Sequence, residues 1–351
     1  MKEQELGVEI RIDRNSRIPR YRQIVNSIID DIERGVLLVG QRVPSINEIS
    51  EEYYLSRDTV EKAYNVLKER KIIVSAKGKG YYVARNVLPS KINVLFLFNK
   101  LSSYKLQIYN AMVTRLGQNA QVDLVVYHCD PRLLLNALRE NSGRYDMYVV
   151  MPHFKDAALA HQSTDEEVIE ELKKIPAEKL LILDNHIAAL DEDVASVYQD
   201  FKMDIFEALQ EGMERLRRYD KLILVYPTKS LYPYPQEILQ GFQKFCTDFG
   251  FSFEVLNEIY ADMELHVRDA YILIEESDLV NLVKQIRDRK MVAGKDIGVI
   301  SYNDTPLKEL LGITVISTDF ETMGETAAYM ILKRKKEVVK NVFRFINRDS
   351  I

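Results

Sequence analysis

Pro44-Ser45-Ile46-Asn47-Glu48-Ile49-Ser50-Glu51-Glu52-Tyr53-Tyr54-Leu55-Ser56-Arg57-Asp58-Thr59-Val60-Glu61-Lys62-Ala63-Tyr64-Asn65-Val66-Leu67 contains two helix starts in close succession. Ser45 and Glu48 have the spacing of a capping box, in which the serine oxygen accepts from the N3 amide and the glutamate reaches back. A helix should begin there and end near Tyr53-Tyr54. Leu55 crosses a short turn, and Ser56 can cap a second helix. On that helix Val60, Ala63, Tyr64 and Leu67 share one face, whereas Asp58, Lys62 and Asn65 point away from it. Arg57 and Thr59 flank its N-terminal turn. Two short helices, the second with an exposed polar start, form a helix-turn-helix. Such a second helix enters the major groove of double-stranded DNA N-terminus first.

Upstream, Pro19 can open a helix on which Tyr21, Ile24, Ile28 and Ile32 recur at helical spacing, with Gly35 as its C-terminal cap. Downstream, Ile72-Ile73-Val74 and Tyr81-Tyr82-Val83 read as strands joined by Lys77-Gly78-Lys79-Gly80. The glycines permit a tight tip and the lysines can neutralise phosphates, which makes the hairpin a wing. The run Pro19-x-Tyr21-x-Gln23-Ile24, Gly35, Gly40, Pro44-Ser45, Ser56-Arg57-x-Thr59-Val60, Ala63-Tyr64-x-x-Leu67 and Gly78-x-Gly80-x-Tyr82-Val83 resembles the DNA-binding domain of the GntR family of bacterial regulators. The resemblance implies a winged helix-turn-helix over residues 1–84. It implies operator contacts from Asn47 and from the turn Ser56-Arg57-Asp58-Thr59, to which the exposed positions add Ser45, Lys62, Lys77, Gly78 and Lys79 as candidates. Asn47 and Glu61 stand where arginine is common in that family, which leaves the operator sequence open. Ser45 and Ser56 serve equally as plain helix caps.

Residues 85–90 (Arg85-Asn86-Val87-Leu88-Pro89-Ser90) form a short polar linker, and a new pattern follows. Ile92–Phe98 is a continuous apolar run, as in a strand buried on both faces. From there strands and helices alternate to the C-terminus, the order expected of right-handed βαβ units in two α/β lobes. Asp296-Ile297-Gly298-Val299-Ile300-Ser301-Tyr302-Asn303-Asp304, Ile313-Thr314-Val315-Ile316-Ser317-Thr318-Asp319-Phe320 and the helix and tail over 323–350 resemble the LacI-type regulator sensor. That sensor is itself similar to type I periplasmic sugar-binding proteins. The resemblance implies that 91–351 is a two-lobed, effector-binding and dimerisation domain whose chain crosses between lobes near Tyr198–Asp200 and Ser317–Asp319. A GntR head on such a body is the combination of AraR-type repressors, which implies a homodimeric repressor of carbohydrate-utilisation genes released by a small sugar. An activator of the same architecture, or a sugar-binding protein without a regulatory role, stays open.

In parallel α/β sheets ligands lie beyond the strand C-termini. The strand-end candidates are Ser102, Ser103, Tyr104, Lys105, His153, Asp184, Asn185, Tyr234, Asp278, Asn303 and Asp304, each either an effector contact or a loop cap. They are mostly hydroxyls, amides, carboxylates and tyrosines without arginine. That favours a neutral monosaccharide over a sugar phosphate.

Composition agrees with this division. The 351 residues are 46% hydrophobic and 29% charged, which suits a globular protein of two or three compact units. Residues 1–85 carry 16 Lys+Arg against 13 Asp+Glu, and the remainder 32 against 40. A basic head on an acidic body suits a head that meets a polyanion. No apolar run reaches the ~18 residues of a membrane span, and Met1-Lys2-Glu3-Gln4-Glu5 lacks the apolar stretch of a signal peptide. A cytoplasmic location is expected. Cys129 and Cys246 are too few for a disulfide framework or a four-cysteine zinc site. The chain lacks a phosphate loop with lysine, a His-Glu-x-x-His helix and a Gly-x-Ser-x-Gly elbow, so neither an enzyme nor a cofactor or metal is expected.

Overall fold

The structure is a computed structural model, in which residues 10–13, 16–33, 35–84, 91–156, 160–228 and 230–351 are described. The linker expected at 85–90 lies outside them. The chain divides into two units, Met1–Lys91 and Ile92–Ile351.

The first unit runs α1 (Arg20–Glu33), β1 (Arg42–Val43), α2 (Ile46–Glu52), α3 (Arg57–Glu69), β2 (Ile73–Ala76) and β3 (Gly80–Val83). Ile24, Ile28 and Ile32 of α1 are buried against Val60, Ala63, Tyr64 and Leu67 of α3 and Ile49 of α2. The capping box forms as the spacing requires, with Ser45 and Glu48 each serving the other's backbone. Ser56 Oγ accepts from the Thr59 amide at 3.3 Å. The buried Tyr64 hydroxyl donates to the Pro44 carbonyl, which pins α3 to the entry of α2. In the wing, β2 and β3 pair antiparallel from Ile73↔Val83 to Ala76↔Gly80. The sequence suggested two strands here. A third, β1, adds to the outer edge of β3 through Arg42↔Tyr82, too short to show a periodicity.

The second unit begins with β4 (Ile92–Phe98), α4 (Ser103–Leu116), β5 (Ala120–Val126), α5 (Pro131–Glu140) and β6 (Met147–Val150). It continues through a small hairpin of β7 (Phe154–Lys155) and β8 (His161–Gln162), then α6 (Glu166–Leu172), β9 (Leu180–Asp184) and β10 (Ala195–Tyr198). The other lobe holds α7 (Phe201–Glu211), α8 (Met213–Leu216), β11 (Lys221–Val225), α9 (Gln236–Phe249), β12 (Ser252–Leu256), β13 (Asp269–Leu273), α10 (Glu276–Asp288), β14 (Gly298–Tyr302), α11 (Pro306–Leu310) and β15 (Thr314–Thr318). The chain then returns through α12 (Phe320–Lys333) and β16 (Val338–Lys340), and ends with β17 (Phe343–Ile346).

The first lobe is a six-stranded sheet in the order β16-β10-β9-β6-β4-β5, and the second one in the order β12-β11-β13-β14-β15-β17. Their pairings are parallel except that of β17 with β15. Strand alternation explains the unbroken apolar runs. Val94, Phe96 and Phe98 of β4 face the core under α4 and α12, while Leu95 and Leu97 face the core under α5 and α6. Ala270 and Ile272 of β13 likewise face α7 and α9, and Tyr271 and Leu273 face α10.

The chain passes between the lobes at Gln199–Asp200, Thr318–Asp319 and Asn341–Val342. The sequence indicated the first two. The third follows a three-residue strand beside a basic turn and reads as tail. Asn341 N donates to the Tyr198 carbonyl at 2.7 Å, and Asp319 N to the Val342 carbonyl at 2.9 Å. Asn341 Nδ2 donates to the Asp319 carbonyl at 2.9 Å. The three crossings are thus tied to one another.

In the second lobe α9 packs closely on α7 because Gly241 lacks a side chain. A Cβ there would overlap the Lys202 carbonyl oxygen. Gly241→Ala should therefore force the helices apart and destabilise the unit by about 1–3 kcal/mol, measured as a lowered denaturant midpoint. An unchanged midpoint would show that the helix pair shifts freely.

Candidate functional site

The strand C-termini of both lobes face one cavity of about 400 Å³. The first lobe contributes Asn99 and Lys100 after β4, His153 after β6, Asp184 at the end of β9 and Gln199 after β10. The second contributes Tyr234 after β11, Glu275 and Glu276 after β13, and Tyr302 and Asn303 at and after the end of β14. Phe201, Ile238 and Phe320 add apolar wall. A larger, shallow depression of about 740 Å³ runs from His161–Glu167 to the start of α9. It collects polar side chains away from most of the strand ends.

The wall is organised around Asp184, which is 3% exposed. Its carboxylate accepts from Lys105 Nζ, from His153 Nε2 at 2.9 Å and from Gln199 Nε2. Gln199 Oε1 in turn accepts from the Thr318 hydroxyl, in the second crossing between lobes. Burial opposes ionisation of Asp184, but Lys105 and His153 hold its carboxyl well below the usual carboxylate range. Because Nε2 of His153 donates to Asp184, its Nδ1 is bare and accepts from His161 Nε2 at 2.9 Å. Burial lowers the pKa of both imidazoles, so this relay is neutral.

The lobes meet across the cavity. Tyr104 Oη donates to Glu276 Oε1 at 2.9 Å and accepts from Lys308 Nζ at 2.9 Å. The remaining Lys308 donors go to the carbonyls of Tyr302 at 3.1 Å and Asn303 at 2.9 Å. That saturation lets a lysine sit 2% exposed, with its pKa brought down to about 8 by burial. Tyr104 stacks on Phe320, with ring centroids 5.5 Å apart. Asn99 Oδ1, Tyr302 Oη and Asn303 Oδ1 are buried and unpartnered within the protein. These two acceptors and one hydroxyl sit where a polar ligand would satisfy them.

Of the sequence candidates, Ser102, Ser103, Tyr104, Lys105, His153, Asp184, Tyr234 and Asn303 line the cavity. Ser102 also caps α4, accepting from the Lys105 amide at 3.3 Å. The remaining three are not among its lining residues. Asp304 is held bidentately by Arg348, with bonds of 2.9 and 2.6 Å. Asp278 accepts from the Ile259 amide at 2.8 Å. Asn185 donates to the Pro152 carbonyl at 3.2 Å. Lys100, Gln199, Glu275 and Tyr302 were missed. The unbroken strand-to-helix pattern around β4 and β14 was the available signal for Lys100 and Tyr302.

In the first unit Asn47, Ser56, Arg57, Asp58, Lys62, Lys77, Gly78 and Lys79 are exposed, and Ser45 and Thr59 half-buried. Arg57 and Asp58 form the first turn of α3, and Lys77 to Lys79 the wing tip. The Lys62 ammonium lies 4.4 Å from the Tyr21 ring centre, toward α1. The Thr59 hydroxyl is 2.7 Å from Ser56 Oγ.

The relay carries a pH dependence. His161 is brought down to about 3, mainly by burial, from about 6.5 in an unfolded chain. Between those values the unfolded chain binds a proton that the folded one refuses, so stability falls as pH drops through the window. Asp204, raised to about 6 by burial, acts in the opposite sense in wild type and variant alike. His161→Gln should therefore lose less stability than wild type between pH 7 and pH 5, read from thermal unfolding. Equal losses would mean that His161 takes up its proton in the folded state.

Comparison with known proteins bears on both units. Residues 20–83 match the gntR family of bacterial regulatory proteins, and residues 216–351 match the periplasmic binding protein-like domain. The HTH-type transcriptional repressor YtrA of Bacillus subtilis is 32% identical over 77 residues, 22% of this chain and 59% of the relative. The mannosyl-D-glycerate transport/metabolism system repressor MngR of Escherichia coli is 40% identical over 65 residues, 18% of this chain and 27% of the relative. The chain thus covers less than two thirds of either relative. Among solved structures, the LacI family transcriptional regulator from Lactobacillus casei with bound sucrose superposes with a TM-score of 0.58 at 14% identity. That match covers 74% of this chain and 99% of the other. The trehalose repressor from Escherichia coli gives 0.57 at 14% identity, over 73% and 100%. The chain joins an N-terminal gntR-type helix-turn-helix domain to a C-terminal domain of the LacI and periplasmic binding protein-like fold.

Proposed function

We propose that the protein is a DNA-binding transcription regulator, a homodimeric repressor of carbohydrate-utilisation genes, and that a small sugar bound between its lobes releases it from its operator. The observation that carries this reading is the interlobe cavity. Its wall shares hydrogen bonds with the crossings on which the lobes would turn, through Asp184, Gln199 and Thr318. Unpartnered amide oxygens and a hydroxyl suit sugar hydroxyls, and tyrosine rings suit apolar sugar faces. Relatives named as repressors, and structures of the same fold holding sucrose or glucose, support the same reading.

The test begins by selecting duplexes from random sequence with the full chain. A near-palindromic site bound by two copies is expected, since one helix-turn-helix offers a small footprint and twofold symmetry doubles it. A sugar that raises the melting temperature should then weaken the selected complex. Linkage requires the duplex to weaken sugar binding by the same factor. Tighter duplex binding with sugar would instead make the protein a ligand-dependent activator or a corepressed repressor.

Arg57→Ala should cost about 1–3 kcal/mol of binding to the selected duplex. Lys79→Ala should weaken all duplexes more evenly and flatten the salt dependence. Band-shift titrations at two salt concentrations separate these outcomes. Parental affinity in Arg57→Ala would reject α3 as the reading helix.

A further inference from the structure

The lysines around the cavity are not equivalent. Lys105 is neutralised by Asp184, and Lys308 spends its donors on Tyr104, Tyr302 and Asn303. Lys100 also lines the cavity. Its ammonium lies 4.8 Å from the centre of the Tyr234 ring and 5.6 Å from that of Tyr232, and among the described residues it has no carboxylate at ion-pair distance. Glu275 and Asp184 act on it only through space, and Lys105 adds repulsion. Burial lowers its pKa, the behaviour of a cation short of a counter-ion. Ring faces stabilise a cation but do not take up its hydrogen bonds.

Two neighbours bear on the ligand as well, one on its charge and one on its hydroxyls. The first turn of α4, Ser103 and Tyr104, lines the same cavity, bringing the positive end of a fourteen-residue helix to it. Asn99, beside Lys100 and 4% exposed, carries an unpartnered Oδ1, an acceptor that asks for a ligand hydroxyl.

Resting on the sugar-sensor reading above, we infer that the effector is an acidic monosaccharide, its oxyanion held by Lys100 and a hydroxyl held by Asn99. One ammonium without a guanidinium beside it matches the single charge of a carboxylate better than a phosphate dianion. This departs from the neutral sugar expected from sequence, an expectation that rests on the absence of arginine from these loops.

The test is calorimetric titration of the full chain with matched probes: pentoses and hexoses, the hexuronates and aldonates derived from them, and hexose 6-phosphates. An acid should bind at least about tenfold tighter than its neutral parent, the worth of one charge-assisted hydrogen bond. Lys100→Met should abolish that preference, while Lys100→Arg keeps it. A 6-phosphate that outbinds the carboxylates in a Lys100-dependent way upholds the oxyanion and replaces its source. A neutral sugar binding as tightly as its acid overturns the inference and leaves the sensor reading intact. That comparison needs only wild-type protein, so a poorly folding variant does not obscure it. Binding of no probe overturns both.

Discussion

The Asp184 carboxylate, at the end of β9, accepts from Lys105 and His153 on its cavity side and from Gln199 on its hinge side. Removing a carboxylate and an ammonium from water costs several kcal/mol per ion, and only close pairing with further hydrogen bonds offsets it. Every partner of Asp184 is therefore constrained by the others. Lys105 comes from α4, His153 from the loop after β6, and Gln199 from the crossing itself. A shift at any of these points leaves a buried donor or acceptor unsatisfied unless the rest follow. That is a physical reason for a cavity and a hinge to change together rather than independently. The backbone records the same demand, since Asp184 sits at φ 70°, where few residues other than glycine go willingly.

Saturation also decides which polar groups remain for ligands. Asp304, Asp278 and Asn185 carry the right chemistry, yet each is engaged by a protein partner: Arg348, the Ile259 amide and the Pro152 carbonyl. Asn99, Tyr302 and Asn303 keep unpartnered atoms. In the first unit, Ser45, Ser56 and Thr59 satisfy helix starts, while the side chains of Asn47 and Arg57 stand exposed.

Much of the architecture is legible in the sequence because it rests on local rules. The capping box at Ser45, the αα turn at Leu55 and the apolar runs of β4 and β14 each follow from spacing. What escaped was non-local. The crossing near Tyr198–Asp200 is legible, but the place of Gln199 in the cavity wall, bonded to both Asp184 and Thr318, is not. Lys308 lies on the five-residue α11, and only the folded cavity shows the oxygens that bury it. The engagement of Asp304 depends on Arg348, more than forty positions away, which no period reveals. Lys100 is visible as a residue, but its freedom becomes visible only once the partners of its neighbours are known.

The three crossings also bear on how the chain is made. The first lobe is assembled from two stretches of sequence, with α12 and β16 arriving after every second-lobe strand except β17. Until they emerge from the ribosome, the face of β4, β6 and β9 that α12 covers has no complete lid, and β10 has no outer neighbour. Residues such as Phe96, Phe98 and Leu183 would then be open to water or to other nascent chains. The N-terminal unit has a hydrophobic core of its own, from Ile10 to Val83. Vectorial synthesis thus leaves one face of the first lobe's sheet without its full cover over the interval between β10 and β16.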